Sequence, residues 1–246
     1  MIDYKRREQN KEYWNETADQ WFGATALPEL GVHFIREDDL HIFGDVAGKK
    51  LLEIGCGSGH SLVYQAQHGA SELWGLDISE SQLRNAHRHL DENGVQARLI
   101  CSPMEDDCGI PENYFDMVYS IYALGWTSDL PHTLKKLASY LKKDGVLIFT
   151  WRHPMNGCVQ MENGKAVFRT SYFDPLSVGY DLSGKTIRFD NYKMSDYVNA
   201  LADAGFVIER LVEQTDPALL QREAHTEKEK KAQLLPLSLL FKARKL

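Results

Sequence analysis

The sequence predicts an α/β protein, a doubly wound and mostly parallel sheet of seven strands with helices on both faces. Short, nearly continuous apolar runs alternate with segments of helical spacing along the 246 residues. Strands read this way when helices cover both sides of a parallel sheet. Glycines and capping residues punctuate the runs. One run, LLEIGCGSGH at 51–60, passes straight from strand into helix through a glycine-rich turn. The crevice beyond such strand ends is where open α/β sheets bind ligands.

Residues 2–23 have helical spacing, with Trp14, Ala18 and Trp21 on one face, and a second helix is expected over 33–44, ending near Gly44. KKLLEIG (49–55) is the first strand, and SGHSLVYQAQHG (58–69) is a helix stopped by Gly69. ELWGLDI (72–78) is the second strand. Ser79 and Gln82 form a capping-box pair for a helix that carries Leu83, Ala86 and Leu90 on one face. QARLICS (96–102) and YFDMVYSIY (114–122) are the third and fourth strands. Asp129 caps a helix with Pro131 in its first turn and Leu130, Leu134, Leu137, Ala138 and Leu141 on the buried face. Asp144-Gly145 turns the chain into VLIFTW (146–151), the fifth strand.

The alternation then breaks. Asn163-Gly164 is a hairpin signal, and DLSGK (181–185) reads as another turn. MSDYVNALADAGF (194–206) resumes as a helix, FVIERLVE (206–213) is a strand, and LPLSLLFKARK (235–245) is a last strand at the sheet edge. The architecture is therefore Rossmann-like, with a small antiparallel or loop-rich cap inserted after the fifth strand. Residues 1–246 read as one domain: an N-terminal helical segment (1–47), a ligand-binding core (48–151), a cap insertion (152–193), and a C-terminal helix with edge strands (194–246).

Composition narrows the function. With 43% hydrophobic and 26% charged residues the chain is an ordinary globular protein. A net charge of −7 gives no general attraction to phosphate backbones, so no nucleic-acid partner is expected. No apolar run approaches the ~20 residues of a membrane helix. The N-terminal stretch lacks the apolar centre of a secretory signal, and its Asp3, Glu8 and Glu12 do not suit a transit peptide. A cytoplasmic monomer or homodimer with no membrane partner is the expectation. Cys56, Cys101, Cys108 and Cys158 match neither a C-x-x-C pair nor a zinc spacing, so reduced thiols and no metal are expected.

The glycine loop offers Gly55, Gly57 and Gly59, but His60 stands where the dinucleotide fingerprint G-x-G-x-x-G requires its last glycine. A nicotinamide-dependent oxidoreductase remains an alternative, because Asp77 suits a ribose. His60 and the preceding Glu53 count against it. Glu53-Ile-Gly-Cys-Gly-Ser-Gly59 resembles the first motif of the class I S-adenosylmethionine (SAM)-dependent methyltransferases. Asp77, in GLDIS, resembles the acid that this family keeps for the ribose hydroxyls, with Ile78 beside it. Met104 and Glu105 resemble the segment that contacts adenine, the first against the ring and the second near the exocyclic amine. FDMVYSIYALGW (115–126) resembles the fourth motif, where Ser120 and Ile121 would end a strand beside the methionine portion. The resemblance spans about 48–151 and weakly 194–245. It implies a cofactor site built from Glu53, Gly55, Cys56, Gly57, Gly59, Asp77, Ile78, Met104, Glu105, Ser120 and Ile121, with Trp14 and Trp21 closing over it. S-adenosylhomocysteine (SAH) would be the product.

Methyl transfer from a sulfonium is an in-line displacement, for which orientation alone can supply ~7–11 kcal/mol of the barrier. An acceptor that must lose a proton also needs a base. His153, in WRHP after the fifth strand, is the candidate. The insertion carries Tyr172, Phe173, Tyr180, Phe189 and Tyr192, and acceptor contacts are expected from Trp126, Tyr172 and Tyr192. SIYA stands where amino-methylating nucleic-acid enzymes carry an Asn/Asp-Pro-Pro-aromatic motif. A small-molecule acceptor is left, with O, N and C atoms all open. A non-catalytic SAM-binding regulator and an aminopropyl transferase are the remaining alternatives.

Overall fold

A computed structural model describes residues 3–174, 177–182 and 185–246, with the stretches 177–182 and 185–186 described by backbone alone. The chain opens with α1 (Tyr4–Thr17), capped by Asp3, whose carboxylate accepts the Arg6 N–H at 3.0 Å. It ends six residues short of the expected stop and continues as turns to residue 23. Of the helix expected at 33–44 only one turn forms, α2 (Glu37–Leu40). The buried Glu37 carboxylate folds back to accept the N–H groups of Ile42 and Phe43, each at 3.0 Å. His41 turns left-handed at φ 50°, which stops further helix.

The core then alternates as expected: β1 (Lys50–Ile54), α3 (His60–Gln67), β2 (Glu72–Asp77), α4 (Glu80–Glu92), β3 (Arg98–Cys101), β4 (Phe115–Ile121), a 3₁₀ turn (Leu124–Trp126), α5 (Leu130–Tyr140) and β5 (Leu141–Arg152). After β5 come α6 (Pro154–Cys158) and two hairpins, β6 (Val159–Glu162) with β7 (Lys165–Phe168), and β8 (Ser177–Leu182) with β9 (Lys185–Asp190). Asn163 and Gly164 carry the first hairpin turn with φ 50° and 74°, as the Asn-Gly pair requires. The centre of the turn expected in DLSGK, 183–184, lies outside the described residues. The chain finishes with α7 (Met194–Asp203), β10 (Phe206–Val212), α8 (Pro217–Leu220), α9 (Glu227–Leu234) and β11 (Ser238–Lys245).

Seven strands form one sheet in the order β10-β11-β5-β4-β1-β2-β3. All pairings are parallel except those of β11, which runs antiparallel to both neighbours. The last strand is therefore not at the edge, as expected from the sequence, but inserted between β10 and β5. Its composition explains the position. Leu239, Leu240, Phe241 and Ala243 are fully buried, which needs cover on both faces, whereas β10 leaves Val207 and Leu211 each 40% exposed and takes the edge. Helices α5 and α7 cover one face through Leu134, Leu137 and Leu201. The other face packs under α3 and α4 through Leu62 and Leu83, together with Leu30 and Phe34.

Strand order reverses between β1 and β4, since β1 leads outward through β2 to β3 while β4 leads the opposite way to β5. A crevice opens at such a switch point, beyond the carboxyl ends of the strands. The glycine loop lies there.

Candidate cofactor site and active site

Backbone geometry sets the floor of the crevice. Gly55 leaves β1 at φ 70° and donates its N–H to the Leu76 carbonyl at 2.7 Å. A Cβ at Gly55 would stand 2.2 Å from the Ala123 Cβ, so any side chain there would displace the loop after β4. Gly57, at φ 50°, donates its N–H to Asp77 Oδ2 at 2.9 Å, and Ser79 donates its own to Asp77 Oδ1 at 2.9 Å. The carboxylate is thus held by backbone donors from Ser79, Gly57 and Ile78, and still has acceptor capacity left for a ligand. Burial outweighs these hydrogen bonds and raises the Asp77 pKa to about 6.

The cavity encloses about 980 Å³ of empty space, open solvent at its mouth included. Glu53, 3% exposed, reaches it from β1. Burial pushes its carboxyl well above the usual range, although Ser61 and Tyr119 hydroxyls donate to it, the latter at 3.3 Å. Met104 and Glu105 form the wall beyond β3. Glu105 Oε1 accepts the Ser128 N–H at 2.8 Å and the Thr127 hydroxyl at 3.0 Å, which ties this wall to the start of α5.

Helix α1 and the turns after it close the remaining side. Arg7, Asn10, Trp14 and Trp21 line the cavity, and the Trp14 ring meets Trp21 at 5.6 Å and Trp126 at 5.3 Å, edge to face. Polar bonds fasten the helix. Asn10 exchanges two hydrogen bonds with the Arg188 backbone of β9, at 2.8 and 3.1 Å. Arg6 pairs with Asp190 at 2.7 Å, and Asn15 Oδ1 accepts the Ser79 hydroxyl at 2.8 Å.

Of the residues singled out from the sequence, Glu53, Gly55, Cys56, Gly57, Asp77, Ile78, Met104, Glu105, Ile121, Trp14, Trp21 and Trp126 meet on this one cavity. Five others do not line it. Gly59 instead caps α3 at φ 77°, with room for Ala86 beside it. Ser120 is fully buried and donates its hydroxyl to the Ile54 carbonyl at 2.9 Å. His153 caps α6: Met155 N–H donates to its Nδ1 at 3.1 Å, and its Nε2 meets Glu213 Oε1 at 2.6 Å. Both nitrogens are committed to structure. Burial lowers the His153 pKa in spite of Glu213. Tyr172 accepts the Met194 N–H at 2.9 Å, and Tyr192 packs on Tyr197 at 5.7 Å, so both serve the seat of α7.

The cavity also includes residues that the sequence reading passed over: Arg7, Asn10, His60, Gln82 and Tyr122. For the first two a signal was present, because Arg7, Asn10 and Trp14 share one face at helical spacing. Tyr122 follows β4 at φ 56°, an uncommon conformation for a bulky residue, which local pattern does not reveal.

Comparison with known proteins agrees with this geometry. Residues 52–149 match a methyltransferase domain family. An uncharacterised protein of Haemophilus influenzae is 33% identical over 122 residues, 48% of either chain. A ubiquinone biosynthesis O-methyltransferase of Neisseria meningitidis is 26% identical over 140 residues, 56% of this chain and 59% of that one. The chain thus spans about half the length of the curated relatives it matches. Among solved structures, a SAM-dependent methyltransferase from Listeria monocytogenes superposes with a TM-score of 0.72 at 23% identity, covering 85% of this chain and 96% of that one. The fold is the Rossmann-like fold of SAM-dependent methyltransferases. Residues 52–149 are thus similar to a methyltransferase domain, and SAM is the cofactor named for the solved structures of this fold.

Proposed function

We propose that the protein transfers a methyl group from SAM to an O, N or C atom of a small-molecule acceptor. The observation that carries this reading is the joint placement of the Gly55–Gly57 turn and the Asp77 carboxylate in one cavity at the switch point of the sheet. The cavity suits the cofactor in three respects. Gly57 presents no side chain to it, Asp77 retains free lone pairs, and Gln82 keeps a buried amide oxygen without a partner.

When bound, SAM supplies a methyl group already activated on a sulfonium. The protein has to bind, align and exclude water. Asp77 accepts the hydroxyls of a ribose diol. Glu53 sets a buried carboxyl in the floor, which a cationic ligand would ionise and a neutral one would not. Trp14, Trp21 and Trp126 cover the cavity with apolar rings, whose π faces suit a cationic or apolar group. An acceptor held against these rings would be aligned for in-line attack, and such alignment can supply ~7–11 kcal/mol of the barrier. His153 lies off this cavity, with its nitrogens bonded to Glu213 and Met155, so the reading assigns it no step.

Calorimetry with SAM, SAH and NAD in parallel tests the reading. Micromolar binding of the first two and none of NAD is expected. Asp77→Ala should then weaken SAH binding by at least tenfold, the loss of about 1.5–3 kcal/mol from hydrogen bonds to a charged acceptor. Binding of NAD alone would overturn the assignment.

A further inference from the structure

The charges and rings of the cavity narrow what it can take beside its cofactor. Its lining carries three carboxyl groups, Glu53, Asp77 and Glu105, and among the described residues one guanidinium, Arg7. Asp106 already neutralises that guanidinium at 2.8 Å. An anionic acceptor would therefore meet carboxylates and no free cation. Trp14, Trp21 and Trp126 stand on the same lining, and the Trp14 ring meets the other two at 66° and 79°. Flat aromatic rings and cations are the ligands that indole faces favour.

Among the described residues of the lining, each group that could take a proton from an acceptor is engaged. Glu105 Oε1 accepts from Thr127 and Ser128. The Tyr122 hydroxyl shares a hydrogen bond of 2.7 Å with Ser238 Oγ. His60 has Nδ1 at 3.0 Å from Ser58 Oγ, and its Nε2 lies against Gly23, where a Cβ would stand 3.0 Å from it. Stacking on His89 at 3.8 Å holds the imidazole in that place. Burial pushes the Cys56 thiol well above its usual pKa. Asp77 and Glu53 serve the cofactor under the SAM reading. A hydroxyl or an ammonium group needs a base before it can attack. A nitrogen whose lone pair is free at neutral pH needs none.

We propose that the acceptor is a neutral aromatic nitrogen heterocycle of pyridine type, methylated on its ring nitrogen. This rests on the SAM reading of the cavity and selects nitrogen among the acceptor atoms. The lone pair of the ring nitrogen forms the N–C bond as the C–S bond of the sulfonium breaks, and the breaking pair stays on sulfur. A neutral thioether is left, the heterocycle takes the positive charge, and no proton moves. Charge thus grows on the acceptor during the step, beside indole faces and carboxyl groups that favour the cation over the neutral ring.

The test is calorimetry on the full chain saturated with SAH. The probes are N-methylpyridinium as the form the product takes, toluene as its neutral isostere, tetramethylammonium as a cation without a ring, and benzoate as an anion. N-methylpyridinium should bind about tenfold tighter than toluene, and tighter than tetramethylammonium, with benzoate the weakest. Trp14→Leu should remove the preference over toluene. Trp126→Leu, outside the lid helix, should do the same and covers the case in which the first variant fails to fold. Equal affinity for N-methylpyridinium and toluene, tighter binding of tetramethylammonium or benzoate, or no binding of N-methylpyridinium would overturn the proposal. So would a preference that survives both substitutions, because the cation would then sit away from the indoles. If the unsubstituted protein fails to bind SAH, the SAM reading itself fails and the proposal with it. If SAH binds and the preference is missing, only the acceptor class is lost.

Discussion

Asp77 shows how a single buried carboxylate links the fold to the proposed ligand. Backbone N–H groups of Ser79, Gly57 and Ile78 favour its charge, yet burial wins and the pKa stands at about 6, above the ordinary 3.8. The folded state thus binds this proton more tightly than the unfolded chain does. The stability from this group is fully present below about pH 4 and is lost as pH rises through about 6. Under the proposed function ligand binding runs the other way, because only the ionised form would accept both ribose hydroxyls. SAH affinity should fall as pH drops below about 6, by at most tenfold per unit, and Asp77→Asn should be flat over the same range. Calorimetry between pH 5 and pH 7.5 checks this, and a flat profile in the unsubstituted protein would refute it. Asp77 was legible in the sequence because the end of a parallel strand fixes where its side chain goes. His153 was not. It too follows a strand, but α6 starts at the next residue and turns the imidazole toward Met155 and Glu213. Position along a chain does not give the direction in which a side chain leaves it.

Among the elements, α1 is unusual in what holds it. Its buried residues are Arg6, Asn10, Tyr13 and Thr17, three of them polar, so polar bonds rather than an apolar stripe dock it on β9 and α4. Asn10 mimics a strand neighbour by exchanging two hydrogen bonds with Arg188 in β9. Asn10→Ala leaves both backbone groups of Arg188 without that partner and loosens the helix that carries Trp14 over the cavity. Stopped-flow dissociation of SAH should accelerate about tenfold, for a loss of about 1–2 kcal/mol, with a small fall in Tm. An unchanged off-rate with the same fall in Tm would confine Asn10 to stability. The sequence made the strands and α3, α4, α5 and α7 legible, because each repeats one period between clear stops. The short α2 was misread since its stop is a tertiary device, the Glu37 carboxylate folding onto Ile42 and Phe43. The place of β11 was misread for a related reason. Periodicity identifies a strand but not its neighbours, and the full burial of Leu239 to Phe241 was the clue to an interior position.

Across the whole molecule, stability is distributed unevenly, and the distribution matches the proposed cycle. The centre of the sheet, β4, β5 and β11, is packed on both faces by residues such as Tyr119, Phe149 and Phe241, all fully buried. Its amides should exchange only through global unfolding. Helix α1 and residues 18–26, by contrast, cover the cavity with half-buried or exposed side chains such as Trp14 and Trp21. Opening of these segments is what a site closed by its own lid requires for cofactor exchange. Hydrogen exchange followed by mass spectrometry should therefore separate the two regions. In the ligand-free protein α1 and 18–26 should exchange well before β4, β5 and β11. SAH at a hundred times its Kd should slow exchange in α1 and 18–26 by up to about a hundredfold, because opening must then compete with about 2.7 kcal/mol of binding. The 55–61 turn should gain protection in the same experiment. Protection of that turn without any change in α1 would mean that cofactor binding and lid closure are independent, and that α1 belongs to the fold rather than to the site.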